Sequence, residues 1–159
     1  MTGFEPSLHE KLFGAAGDPS PRQGLSLDRL KASVARDLES LLNTRIGIPG
    51  SAFSAFPEAR RSVIHYGLSD FSSLSLSSLG DRAAILQALR AAIVLNEPRL
   101  RNVDVAFDSD RRSENRLLFT VRALLVVRPL CEAVSFDLML KPTTQQYLVG
   151  SDSMARAGV

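Results

Sequence analysis

Two kinds of hydrophobic spacing divide this chain. In its first half, Leu27, Leu30, Val34, Leu38 and Leu41 recur at intervals of three and four residues, which lines one side of a helix. Ser26 stands where an N-cap hydroxyl belongs, and Asp28 places a negative charge in the first turn, where the helix dipole favours it. Arg29, Arg36, Asp37 and Glu39 occupy the other faces of this helix. A second helix is predicted through SSLGDRAAILQALRAAIVLN, opened by Ser78 with Asp81 three residues on, a variant capping box. Its face alternates large Ile85, Leu89 and Ile93 with small Ala88 and Ala92, so it can lie close against a sheet or another helix. Pro98 stops it, because the residue before a proline is pushed out of the helical region.

After Pro98 the period changes to two. Val103, Val105 and Phe107 alternate with polar neighbours, and so do Leu117, Phe119, Val121, Ala123 and Leu125. Val134, Phe136, Leu138 and Leu140 make a third run, and Tyr147, Leu148 and Val149 a short fourth. Helices followed by a strand meander predict an α+β fold: an antiparallel sheet of three to four strands with helices packed on one face. Between the helices, TRIGIPGSAFSAFPEARR is broken by glycine and proline and reads as a long connection. SVIHYGL reads as a short apolar segment ended by Gly67. The expected organisation is a flexible arm over 1–24, one domain over 25–149 and a frayed tail over 150–159. Within the arm, Leu8, Leu12 and Phe13 could form one small amphipathic turn.

Composition narrows the function without naming it. Nineteen basic and 17 acidic residues leave a net charge of +2, too little to predict a nucleic-acid partner. A single cysteine, Cys131, excludes an intrachain disulfide and a cysteine-based metal cluster; beside Leu130 it reads as a buried, inert thiol. No stretch reaches the length of a membrane span, and the N-terminus lacks the basic and apolar regions of a secretory signal. A cytoplasmic protein is expected, without direct insertion in a membrane.

Catalytic chemistry finds little support. Glu97 is the best candidate general acid, but glycoside hydrolysis needs a second carboxylate facing it, and nothing places Asp70, Asp104 or Asp137 there. There is no G-x-S-x-G, and His9 and His65 lack metal-ligand spacing. No catalytic residue, metal ligand or cofactor is expected. What stands out is Glu97-Pro98-Arg99 at the helix-to-strand junction. Proline stiffens it, so it can serve as an internal clamp or as a rigid contact for another protein.

Four motifs carry a resemblance: RDLESLLNTR, SVIHYGLSDF, the Glu97-Pro98-Arg99 tripeptide, and the meander that follows. In this order, over about Leu25 to Val149, the chain resembles the TssE family of type VI secretion baseplate subunits. That family is related to the small gene 25-like wedge protein of contractile phage tails. Ser69 stands where the family often has proline. The resemblance implies a non-enzymatic, cytoplasmic subunit of a membrane-docked baseplate. It implies wedge partners of the TssF, TssG and TssK kind, braced through Glu97, Pro98 and Arg99. It also implies sheath partners of the TssB and TssC kind, met through strand pairing at a free sheet edge. A peptidoglycan hydrolase using Glu97, and a wedge protein of a phage tail or another injector, are the alternatives at this stage.

Overall fold

The computed structural model describes Leu12 and residues 26–71, 73–74, 78–108, 116–127 and 130–151. The N-terminal arm apart from Leu12, the charged loop at 109–115, His9 and the tail from 152 lie outside the described residues. Helix α1 runs Leu27–Asn43, with the Ser26 hydroxyl accepting from the Arg29 N–H. Helix α2 runs Leu79–Asn96, with Ser78 accepting from the Asp81 N–H. Four strands follow: β1 Leu100–Phe107, β2 Leu117–Val127, β3 Leu130–Lys141 and β4 Gln146–Ser151. They form one antiparallel sheet in the order β1-β2-β3-β4, the predicted α+β meander.

Parity along the strands decides what is buried. Val105, Val121, Phe136 and Tyr147 project to one face and pack with Leu30, Leu38, Leu89 and Ile93 of the helices. α1 lies over the β4 side and α2 over the β1 side, so both helices cover a single face. Burying the Leu and Ile side chains of this seam supplies about 1.5–3 kcal/mol each. β1 is interrupted between Arg101 and Asp104, which pair with Leu124 and Arg122, so that Asn102 and Val103 together oppose Ala123 alone. This is a bulge, with Asn102 at φ 51°, a conformation asparagine tolerates better than most residues.

One expectation is corrected here. Cys131 is exposed, because it pairs with Val126 and shares strand parity with the outward-facing residues of β3, not with Val134 and Phe136. The apolar stretch SVIHYGL starts at the surface: Val63 is 85% exposed and Ile64 53%. These residues form a single 3-10 turn, Val63–His65, capped by the Ser62 hydroxyl. The buried part of that stretch begins at Gly67 and Leu68.

Candidate functional site

The Glu-Pro-Arg corner is built by the end of α2 running into β1. The Glu97 N–H still donates to the Ile93 carbonyl at 2.8 Å, and the Glu97 carbonyl accepts from the Leu100 N–H at 3.1 Å. Glu97 therefore caps the helix and closes the turn that starts the strand. The Arg99 carbonyl then accepts from the Val126 N–H at 2.8 Å, which fixes the corner to β2. Pro98 restricts both its own φ and Glu97, so the turn is stiff.

On this backbone the two side chains close on each other. Arg99 Nε donates to Glu97 Oε1 at 2.7 Å and Arg99 Nη2 to Glu97 Oε2 at 2.5 Å. The Arg99 backbone N–H adds a third bond to Oε1 at 3.2 Å. Such a bidentate fork is the strongest arrangement the two groups can make. Arg99 Nη2 also reaches Asp37 Oδ2 on α1 at 2.5 Å. One guanidinium thus ties α1 to the junction of α2 and β1. Burial runs from inside to outside: 6% of the Glu97 side chain is exposed, against 25% of Arg99 and 40% of Asp37. Pro98 is exposed beside them.

The charges act on one another as expected. Hydrogen bonding to Glu97 raises the Arg99 pKa well above its ordinary value, against the opposing effect of burial, with further support from the charge of Glu97 and from Asp37. Tyr66 is also raised, by burial first and then by the negative charges of Asp37 and Glu97. Its phenol therefore stands within the field of the same cluster. Tyr66 reaches it because the long connection is laced back onto α1. The Leu68 N–H donates to the Thr44 carbonyl at 2.8 Å, and the Ile46 N–H to the Leu68 carbonyl at 3.1 Å. Gly67 makes this possible at φ +127°, where a Cβ would lie 2.6 Å from the Thr44 oxygen.

Three of the four sequence motifs thus converge here: Asp37 from RDLESLLNTR, Tyr66 from SVIHYGLSDF, and the tripeptide itself. Asp37 was missed by helical periodicity, which marks it only as polar. Its position at the border of the apolar stripe, next to buried Leu38, is the one signal that could have found it. The carboxylates considered as catalytic partners lie elsewhere. Asp137 sits on the outward parity of β3, while Asp70 and Asp104 are exposed. Both oxygens of Glu97 are engaged by Arg99, which leaves none to deliver a proton to a substrate. His65 packs edge-on against Phe53, with ring centres 5.0 Å apart. Among the described residues, no group of three or more His, Cys, Asp or Glu is placed to hold a metal. No helix among them is long and apolar enough to cross a membrane.

No curated protein matches the chain. A chain in the solved structure "The baseplate complex from the type VI secretion system" is similar at 19% identity, covering 76% of this chain and 95% of that one, with a TM-score of 0.46. Residues 28–130 match the family described as "Baseplate wedge protein gp25". That span holds both helices, the converging corner and the first two strands, and this chain belongs to the gp25 family of baseplate wedge proteins, structural components of baseplates.

Proposed function

We propose that this chain is a TssE-type structural subunit of a type VI secretion baseplate, working in the cytoplasm as part of a membrane-docked assembly. It joins the larger wedge subunits of the TssF, TssG and TssK kind at the Glu-Pro-Arg corner. It offers a sheet margin to the first sheath subunits, of the TssB and TssC kind. The observation that carries this reading is the convergence of three family motifs on one rigid, partly exposed corner. The type VI assignment itself rests on the motif set, above all YGLSDF.

The corner suits a contact as well as a clamp. Glu97 and the inner side of Arg99 are spent on holding the fold. Pro98 and the outer parts of Arg99 and Asp37 form a rim that ordering has already fixed, so docking there costs little further entropy. One guanidinium against two carboxylates leaves one excess negative charge, and Asp37 engages Arg99 through Oδ2 alone. The partner surface that fits this rim presents hydrogen-bond donors, arginine or lysine above all. No bond-breaking step belongs to this role.

Co-purification of the full chain with candidate wedge and sheath subunits tests the proposal. Capture of a wedge complex by the native protein is the expected result, together with no clearing of a peptidoglycan suspension. Clearing that disappears in Glu97→Gln would replace the docking role with hydrolysis.

A further inference from the structure

Away from the Glu-Pro-Arg corner, the end of the sheet that holds the β3–β4 turn carries a cavity. Leu140 and Tyr147 stand directly opposite each other on β3 and β4, on the face that the helices cover. Ile85 of α2 joins them from above, and Phe71 and Leu74 of the connection pack against the same core. These side chains line a space of about 200 Å³. A cavity of about 150 Å³ with leucine, isoleucine and phenylalanine walls takes up benzene. The space here therefore has room for one six-membered ring and a small substituent.

Arg45 and Tyr147 give this apolar lining its chemistry. Arg45 Nη1 donates to the Leu42 carbonyl at 2.8 Å and Nη2 to the Gln145 carbonyl at 2.7 Å. The guanidinium is thereby strung between the end of α1 and the β3–β4 turn. Both bonds go to neutral carbonyls, and among the described residues no carboxylate pairs with Arg45. Glu39 borders a second depression along β4 together with Arg45, but its Oε2 accepts from the Val149 N–H at 2.9 Å. Tyr147 is 2% exposed. Its backbone N–H and carbonyl are both bonded by Asn43, each at 2.9 Å, while its hydroxyl finds no acceptor among the described residues. A buried tyrosine hydroxyl ordinarily has a partner. The phenol also lies within the field of Arg45, which draws its pKa down against the larger upward effect of burial.

We infer that this cavity is a binding site for a small aromatic carboxylate. The ring packs among Phe71, Leu74, Ile85 and Leu140, and the carboxylate accepts from the Arg45 guanidinium and the Tyr147 hydroxyl. Arg45 is the only charged residue in the lining among the described residues, so the site favours an anion. A ring without a carboxylate would fill the apolar part and leave the hydroxyl unbonded, which costs binding free energy. The site uses no residue of the Glu-Pro-Arg corner and does not rest on the baseplate role.

Titration of the full chain with benzoate and, separately, with benzyl alcohol, followed by two-dimensional NMR at neutral pH, tests this. The two probes are similar in size, and only benzoate is charged. Benzoate is expected to shift the amides of Ile85, Leu140 and Tyr147 along one saturable curve. Benzyl alcohol should bind at least about tenfold more weakly, because hydrogen bonds to a charged group are the stronger kind. Arg45→Met should weaken benzoate by at least about tenfold and leave benzyl alcohol unchanged. Tyr147→Phe, which removes the hydroxyl alone and keeps the Arg45 ties to the β3–β4 turn, should weaken benzoate about threefold. Leu74→Trp should fill the space and abolish binding of both probes. No saturable shift with benzoate, shifts centred on other residues, or benzoate binding unchanged in Tyr147→Phe would overturn the inference. So would equal affinity for the two probes, which would make the cavity a seat for an uncharged apolar group. Each of these failures would leave the baseplate role standing.

Discussion

The Glu-Pro-Arg corner and the connection leading to it invert the usual partition of side chains. At the corner, Glu97 is only 5% exposed although it carries a full charge. In the connection, Phe56, Val63 and Ile64 face solvent although they are large and apolar. Each placement has a local cause. The carboxylate can be buried because Arg99 meets both its oxygens, and an ion pair with matched geometry offsets much of its desolvation. The apolar residues are outside because three short 3-10 turns, Gly50–Phe53, Pro57–Arg61 and Val63–His65, leave too little regular surface to cover them. Only Phe53 among those turns reaches the interior. The charged region fixes the geometry of the fold, and the apolar region adds little to its stability.

The largest effect should come from unpairing the corner. Arg99→Ala leaves Glu97 buried without its counter-ion and should cost about 3–5 kcal/mol in urea denaturation. Glu97→Ala should cost a similar amount by stranding the guanidinium. A loss below about 1 kcal/mol would mean that the pair behaves as a surface contact.

A buried polar group outside the corner, Tyr147, sharpens the contrast. Burial pushes the Tyr147 phenol up to about 12, with Arg45 pulling the other way. The raised value means the folded state holds its proton longer than the unfolded chain. The resulting stability is therefore complete below about pH 10 and is lost as pH rises from there to about 12. The expected loss is on the order of 2–3 kcal/mol. Melting temperatures across that range should fall in the native protein and flatten in Tyr147→Phe.

Gly67→Ala acts where the two regions join. It forces a side chain into a left-handed backbone against Thr44 and should cost about 1–3 kcal/mol, read from the same denaturation curves. Loss of the Tyr66 fluorescence signature of the folded state should accompany it. Asp37→Asn removes a charge from a half-exposed partner and should change stability by less than about 1 kcal/mol. Val63→Ser should be smallest, within about 0.5 kcal/mol of native. A loss of more than that would show that the exposed apolar turn is packed against something.

Much of the fold was legible because its signals are local. The stripe from Leu27 to Leu41 and the parity of Phe119, Val121 and Ala123 need only neighbouring residues to be read. Cys131 was misjudged by its neighbour Leu130, although counting back from Val134 by twos would have put it on the outward face. The polar side of α1 was the hidden part. Asp37, Glu39 and Asn43 bond with Arg99, Val149 and Tyr147, each more than sixty positions away in sequence. A periodic pattern separates buried from unburied residues. It does not separate polar residues that meet water from those that meet a distant strand, so neither the tie to Asp37 nor the bonds to Tyr147 and Val149 could be read.

Under the proposed docking role, the corner that holds the buried charge of Glu97 also presents Pro98 to a partner. A binding titration of the native chain and Pro98→Glu against a purified wedge assembly tests it most directly, with melting curves of both proteins alongside. Unchanged melting and at least about tenfold weaker binding, near 1.4 kcal/mol, are expected of Pro98→Glu. Equal affinity with equal stability would contradict it and leave the corner as a clamp alone.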